Sequence, residues 1–194
     1  AVGTDTYEGY GDFINKYRGA LQIKEAKERY ESVLYRTLTK NNTIESYESF
    51  IIKYPQSPYR EEAENAIYAL SVPDGTIEQY HDFIKKYSGN HNVEISWRNI
   101  YALYTIDFKP KSITEFRSRF PDYPYIEALI QDLELSLTDM YRVRQNGRWG
   151  YMDTEGKIRI PCVYEWNEDF SEGLAATGLN GKAGFLNKAG VPVI

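Results

Sequence analysis

The chain has 194 residues, 42% of them hydrophobic, with a formal net charge of -5. That length allows one domain or two small ones with a buried core. The acidic balance, with no run of Lys or Arg longer than two, argues against nucleic acid as a partner, because phosphate-backbone binding needs a basic face.

In chain order, the first feature is a repeated aromatic phrase. "YGDFINKY" starts at Tyr10, "YESFIIKYP" at Tyr47, "YHDFIKKYS" at Tyr80 and the degenerate "ITEFRSRFP" at Ile113. Phe13, Phe50, Phe83 and Phe116 stand at the centre of the four copies, separated by 37, 33 and 33 residues. Aromatics at i, i+3 and i+7, as in Tyr47, Phe50 and Tyr54, lie on one helical face, and that face is expected inside. Second helices are expected between the phrases. "SPYREEAENAIYAL" predicts a start with Ser57 as N-cap and Pro58 in the first turn, and a buried stripe of Ala63, Ile67 and Leu70. Ile23, Ala26, Tyr30, Val33 and Leu34 form the matching stripe of the first unit. Ile95, Trp97, Ile100, Leu103 and Tyr104 form that of the third, and Leu129, Leu133 and Leu137 a last helix. A period near 33 fits an α-helical hairpin solenoid of three to four pairs.

The phrase carried by Phe50, Ile51, Lys53, Tyr54, Pro55, Ser57, Pro58, Tyr59, Glu62 and Ala63 resembles tetratricopeptide-like repeats of bacterial envelope proteins. The other units lose the Ser-Pro pair, and the W-x-x-L-G-x-x-Y signature of the common tetratricopeptide helix is missing.

After Thr138 the periodicity changes from helical to alternating. "YRVRQ-NG-RWGYMD" predicts two strands around a type I′ turn at Asn146-Gly147, and Asn180-Gly181 repeats it. Gly156 and Gly190 are expected in the left-handed position of a three-residue turn. Each unit then reads as a three-stranded antiparallel meander, its third strand ended by Pro161 in the first copy and written "VPVI" in the second. A loop from Tyr164 to Gly173 is expected to return the chain to the next unit.

Asn146, Gly147, Arg148, Trp149, Gly150, Tyr151, Asp153, Gly156, Ile160, Pro161 and Tyr164, followed by Phe170, Ser171, Glu172, Gly173, Leu174 and Ala175, resemble bacterial WG (KWG) repeats. The second copy keeps Asn180, Gly181, Lys182, Gly184, Phe185, Gly190 and Ile194 but has Ala183 in place of the tryptophan. The resemblance implies tandem β-rich units with binding-related roles and supplies no catalytic residues. The expected fold is thus multidomain α and β, with tetratricopeptide-like helical repeats over 1–139 and WG-repeat β units over 140–194, one full and one truncated.

Reactive constellations are scarce. His81 and His91 lack a partner at i+4 and read as surface or capping residues. Cys162 stands alone, which excludes an intramolecular disulfide and a multi-thiolate site, and reads as a small half-buried residue. Glu165, Glu168, Asp169 and Glu172 make one acidic segment without EF-hand spacing, read as an exposed loop rather than a Ca²⁺ site. No phosphate-binding glycine motif follows a strand. No catalytic residue, metal or cofactor is therefore assigned, and no stretch of eighteen apolar residues predicts a membrane-spanning segment.

Trp149, Tyr151, Tyr164, Trp166 and Phe170 are the candidates for recognition or structural roles. Trp149, between Gly147 and Gly150, is expected to pack over exposed backbone as a buried indole. The functional expectation is a non-catalytic protein-interaction scaffold whose partner is another protein. Its alternatives are a carbohydrate or cell-wall binding module, with a cell-wall glycan as partner, and an accessory module of an envelope enzyme. A start at Ala1 rather than methionine is what a removed signal peptide would leave, and equally what a cut through a longer chain would leave. Together with the envelope resemblance, it sets the expectation of an exported protein, periplasmic or at the cell surface.

Overall fold

The computed structural model describes residues 5–193, so Ala1 and Ile194 lie outside the described residues. Eight helices come first among them: α1 (Tyr7–Lys16), α2 (Ile23–Leu38), α3 (Ile44–Lys53), α4 (Arg60–Ser71), α5 (Ile77–Lys86), α6 (Val93–Tyr104), α7 (Pro110–Arg119) and α8 (Ile126–Leu137). Six strands follow: β1 (Met140–Gln145), β2 (Arg148–Asp153), β3 (Ile158–Tyr164), β4 (Trp166–Asn167), β5 (Leu174–Leu179) and β6 (Lys182–Asn187). The expected order, a helical-hairpin solenoid followed by antiparallel β-meanders, is the observed one. Helix gives way to strand between Leu137 and Met140. The compact units divide elsewhere, at Ala1–Trp97 and Arg98–Ile194, within α6.

The 33-residue spacing is visible as one ring contact made three times. Tyr35 meets Phe50 edge-on at 5.1 Å, Tyr68 meets Phe83 at 5.2 Å, and Tyr101 meets Phe116 at 5.0 Å. Edge-to-face geometry brings the positive rim of one ring to the negative face of the other. Phe50, Phe83 and Phe116 are buried as expected, whereas Phe13 in α1 is only half-buried. Many of the tyrosines are thus core material. Burial pushes the phenol of Tyr123 up to about 12. Tyr101 is raised by burial and by its hydrogen bond to Asp132.

The connection inside each pair also repeats. The i+7 aromatics Tyr17, Tyr54, Tyr87 and Phe120 are C-cap residues, just past the helices expected to contain them. Each donates its backbone N–H to the carbonyl of the central phenylalanine, at 2.8–2.9 Å. A second turn follows at once, from Ala20, Ser57, Asn90 and Tyr123 back to those same cap residues. This double turn corrects the expected start of α4. The helix begins at Arg60 with Tyr59 at the cap, and Ser57 Oγ instead accepts from Tyr59 N and donates to Glu31.

Threonine hydroxyls cap the first helix of three units: Thr6, Thr43 and Thr76 accept from Gly9, Ser46 and Gln79, with full capping boxes at the latter two. Four residues of the expected stripes face outward: Leu70, Ile95, Leu103 and Leu137. The stripe of α8 is instead completed by buried Ser136, which bonds back to Leu133 O.

The strands make two three-stranded antiparallel sheets, ordered β1-β2-β3 and β4-β5-β6. Both Asn-Gly pairs adopt positive φ at both positions, as the two-residue turn requires. The registers match residue for residue: Arg142 opposes Tyr151 as Ala176 opposes Phe185, and Met140 opposes Asp153 as Leu174 opposes Asn187. Pro161 does not end β3. The strand runs on to Tyr164 because β3 is an edge strand with an irregular register, where a missing N–H costs no ladder bond. Gly150 lies under that irregularity, where a Cβ would meet Cys162 N at 2.8 Å.

The segment from Tyr164 to Gly173 is also more than a return loop. Trp166 and Asn167 form β4, paired to Gly178 and Thr177, and Glu172-Gly173 makes a further tight turn with positive φ at both residues. Of the expected last strand, Pro192 bridges Leu186 and Val193 N bonds Phe185 O.

Within the second unit, helices and sheets are tied by polar contacts. Lys188 Nζ donates to the carbonyls of Ser136 (2.8 Å) and Thr138 (2.9 Å) at the end of α8. Asn187 Nδ2 donates to Ile106 O, and Lys109 pairs with Glu172 at 2.9 Å.

Candidate functional site

Residues directly opposite on antiparallel strands share a face. One face of the first sheet therefore carries Arg142, Arg144, Trp149, Tyr151 and Tyr164. Its inner end is closed. Tyr151 is fully buried, and burial raises its phenol above the ordinary value. Its hydroxyl donates to Glu168 O at 2.7 Å, and its ring lies 4.7 Å from that of Phe170. Asn167 Nδ2 donates to Gly150 O, and Arg142 donates to Asn167 O. The segment 167–170 thus lies over the face as a cover held by backbone, ring and ion-pair contacts. Met140, Ile160, Ala175 and Leu186 complete the core around Tyr151.

The outer end of that face holds Trp149. Its indole is half-buried, with the guanidinium groups of Arg142 and Arg144 at 5.7 and 5.6 Å from the ring. Cation–π attraction of this kind suits an aromatic at the edge of solvent. The expectation of a buried indole fits Trp149 only in part; the enclosed ring is Tyr151. The tryptophan that lies over glycine backbone is Trp166, whose indole occupies the space that a Cβ at Gly178 would need.

The equivalent face of the second sheet carries Ala176, Gly178, Ala183 and Phe185, with Trp166 opposite Gly178. Here both arginines have become small residues and the tyrosine a phenylalanine. Among the described residues no segment covers this face as 167–170 covers the first. Phe185 is 43% exposed and Trp166 42%, against 0% for Tyr151. Of the five candidates, Tyr151 and Phe170 belong to the core contact, Tyr164 flanks it, Trp149 sits beneath two arginines, and Trp166 borders the open face. Phe185 was not singled out by sequence, although its place in the Gly-Phe repeat of Gly-Tyr was readable.

The acidic segment does not converge. Glu165 faces Arg148 at 3.4 Å, Asp169 faces Arg142 at 3.0 Å, and Glu172 faces Lys109 at 2.9 Å. Among the described residues no group of three or more His, Cys, Asp or Glu side chains could hold a metal ion. No helix is long and apolar enough to cross a membrane.

Within the first unit, a shallow depression is lined by Ser57, Pro58, Arg60, Glu61, Glu64 and His91. Burial alone would raise the Glu64 carboxyl, but hydrogen bonds from His91 and Arg60 outweigh it and hold the group below its ordinary value. His91 reaches Glu64 Oε2 at 2.8 Å and Asn65 Oδ1 at 2.9 Å, so it joins two helical pairs rather than simply facing water. The carboxylate is already engaged by both partners.

A family model described as "WG containing repeat" matches residues 149–182, from β2 into β6. No curated protein and no solved structure matches the chain.

Proposed function

We propose that this chain is a non-catalytic protein-interaction scaffold, exported to the bacterial cell envelope. The observation that carries the reading is the assembly of the molecule from tandem repeats, helical hairpins followed by two sheets of matching register. Repeat arrays present extended surfaces while each unit relies on its neighbours for a core. Asp153, Glu165, Glu168, Asp169 and Glu172 are engaged with basic partners instead of being gathered around a reacting position. A cell-wall glycan is the second reading, favoured by the exposed indole of Trp166, on which a sugar ring could stack. An accessory role beside an envelope enzyme is compatible with either.

The test is retention on the immobilised full chain from a bacterial envelope extract treated in parallel with protease and with muramidase. Loss of the retained material after protease alone supports the protein reading. Loss after muramidase alone contradicts it and favours the glycan.

A further inference from the structure

The turns at Asn146-Gly147 and Asn180-Gly181 share a sequence and a backbone, with positive φ at all four residues, and all four are exposed. They differ in the charge around the peptide nitrogen that follows each asparagine. In the second hairpin the Gly181 N–H donates to Glu165 Oε2 at 3.3 Å. In the first, no carboxylate side chain reaches the Gly147 N–H among the described residues, and Arg144 donates to Gly147 O at 3.4 Å. By register, the place of Arg144 is taken in the second copy by Gly178, which brings no charge. We infer that Asn146 is a site of spontaneous deamidation to aspartate and isoaspartate, and that Glu165 protects its counterpart, Asn180, from the same change.

A glycine after the asparagine opens the way to this reaction, because no Cβ shields the attacking nitrogen. The Gly147 N–H gives its proton to hydroxide, and the nitrogen attacks Asn146 Cγ. The N–Cγ bond forms, the Cγ–Nδ2 bond breaks, and Nδ2 leaves as ammonia after taking a proton from water. Water then opens the cyclic imide. Attack at Cγ leaves aspartate, and attack at the main-chain carbonyl carbon leaves isoaspartate, whose backbone path is longer by a methylene. Nothing is oxidised or reduced. Loss of the amide proton builds negative charge on the nitrogen. The Arg144 guanidinium beside the first turn favours that charge, whereas the Glu165 carboxylate opposes it at Gly181 and must first release its hydrogen bond. One unit charge at contact distance in a water-like dielectric changes the population of the anion by about fivefold.

The product matters at this position. A two-residue hairpin needs left-handed backbone at both residues, which a chain lengthened by a methylene does not reproduce. Gln145 and Arg148 pair directly beside the turn, and Arg144 opposes Trp149 one step further in. Isoaspartate at position 146 therefore loosens the end of the first sheet that carries the contact of Arg144 with the Trp149 ring. Tyr151, held by the Glu168 carbonyl and the Phe170 ring, stays in place.

The test is ageing of the full chain at neutral and mildly alkaline pH, followed by peptide mapping and by enzymatic methyl transfer to isoaspartate. Asn146 is expected to convert about fivefold faster than Asn180. Glu165→Gln removes the charge but keeps an acceptor, and is expected to raise the Asn180 rate by about fivefold. Because Glu165 also pairs with Arg148, the Asn146 rate should rise as well, but less. In urea, where both turns dissolve, the two rates are expected to converge. Equal rates in the folded chain, or faster conversion of Asn180, overturn the inference, as does a Glu165→Gln variant whose Asn180 is no faster. A difference that persists in urea overturns it by placing the cause in the flanking sequence. A folded chain that keeps both amides while the urea-treated chain loses them overturns it too, since Asn146 would then be as protected as Asn180.

Discussion

Tyr151 and Phe185 occupy the same place in two copies of one repeat, so truncating each to alanine isolates the effect of the cover. Tyr151 is fully enclosed. Tyr151→Ala should cost about 3–5 kcal/mol, the range for removing a buried ring and leaving a cavity. Loss of the bond to the Glu168 carbonyl adds about 1 kcal/mol. For Phe185, 43% exposed, about half of a ring's ~150 Å² already faces water. At ~25 cal/mol per Å² the remaining half is worth about 1–2 kcal/mol, and no cavity forms because solvent fills the space. The difference, at least about 2 kcal/mol, exceeds the error of a urea titration. Because the chain has two compact units, the titration is read through hydrogen exchange of the β5 and β6 amides rather than a global signal. Equal costs for the two substitutions would refute the reasoning, since they would require Phe185 to be as enclosed as Tyr151.

Other expectations follow from contacts around the same sheets. Lys188→Met keeps the aliphatic stem but removes two charge-assisted bonds to the end of α8, at a cost of about 1–3 kcal/mol, seen as faster exchange of the β1 amides that follow α8. Gly178→Ala places a methyl group inside the Trp166 indole; since that ring is partly exposed, it should swing outward, giving red-shifted tryptophan emission with little change in stability. Asp153 is held below its usual carboxyl value of 3.8, first by the Lys157 backbone N–H and also by Arg159, against the opposing effect of burial. With the folded-state value lowered, its stabilisation is complete above 3.8 and is lost as pH falls toward the folded value. Asp153→Asn keeps the oxygen that serves the turn, as Asn187 does in the second copy, but removes the titration. Its urea midpoint should therefore fall less steeply than that of the parent as pH is lowered through 3.8 and below.

The parts of this fold legible in sequence were those written by local rules. The central phenylalanines declared a helical face, and three of the four are buried. Asn146-Gly147 and Asn180-Gly181 declared their hairpins through the positive φ that type I′ turns demand. The Thr43-to-Ser46 and Thr76-to-Gln79 capping boxes obey the same local logic. What local rules could not supply were contacts made at a distance. The double turn after Tyr54 displaced the expected cap at Ser57, whose hydroxyl is taken by Glu31. The edge position of β3 let Pro161 remain inside a strand. Tyr151 and Phe185 have nearly identical neighbours in sequence and opposite burial, because only the first is covered by 167–170. Trp149, set between two glycines in sequence, is half-buried beneath two arginines, whereas the tryptophan seated over glycine backbone is Trp166.

The measurement that tests the scaffold account most directly is crosslinking of the tagged full chain to a bacterial envelope extract, with the products resolved by mass. The account predicts discrete, saturable adducts that protease removes and an excess of untagged chain competes away. Absence of any saturable adduct, or attachment to muramidase-sensitive material alone, would contradict it.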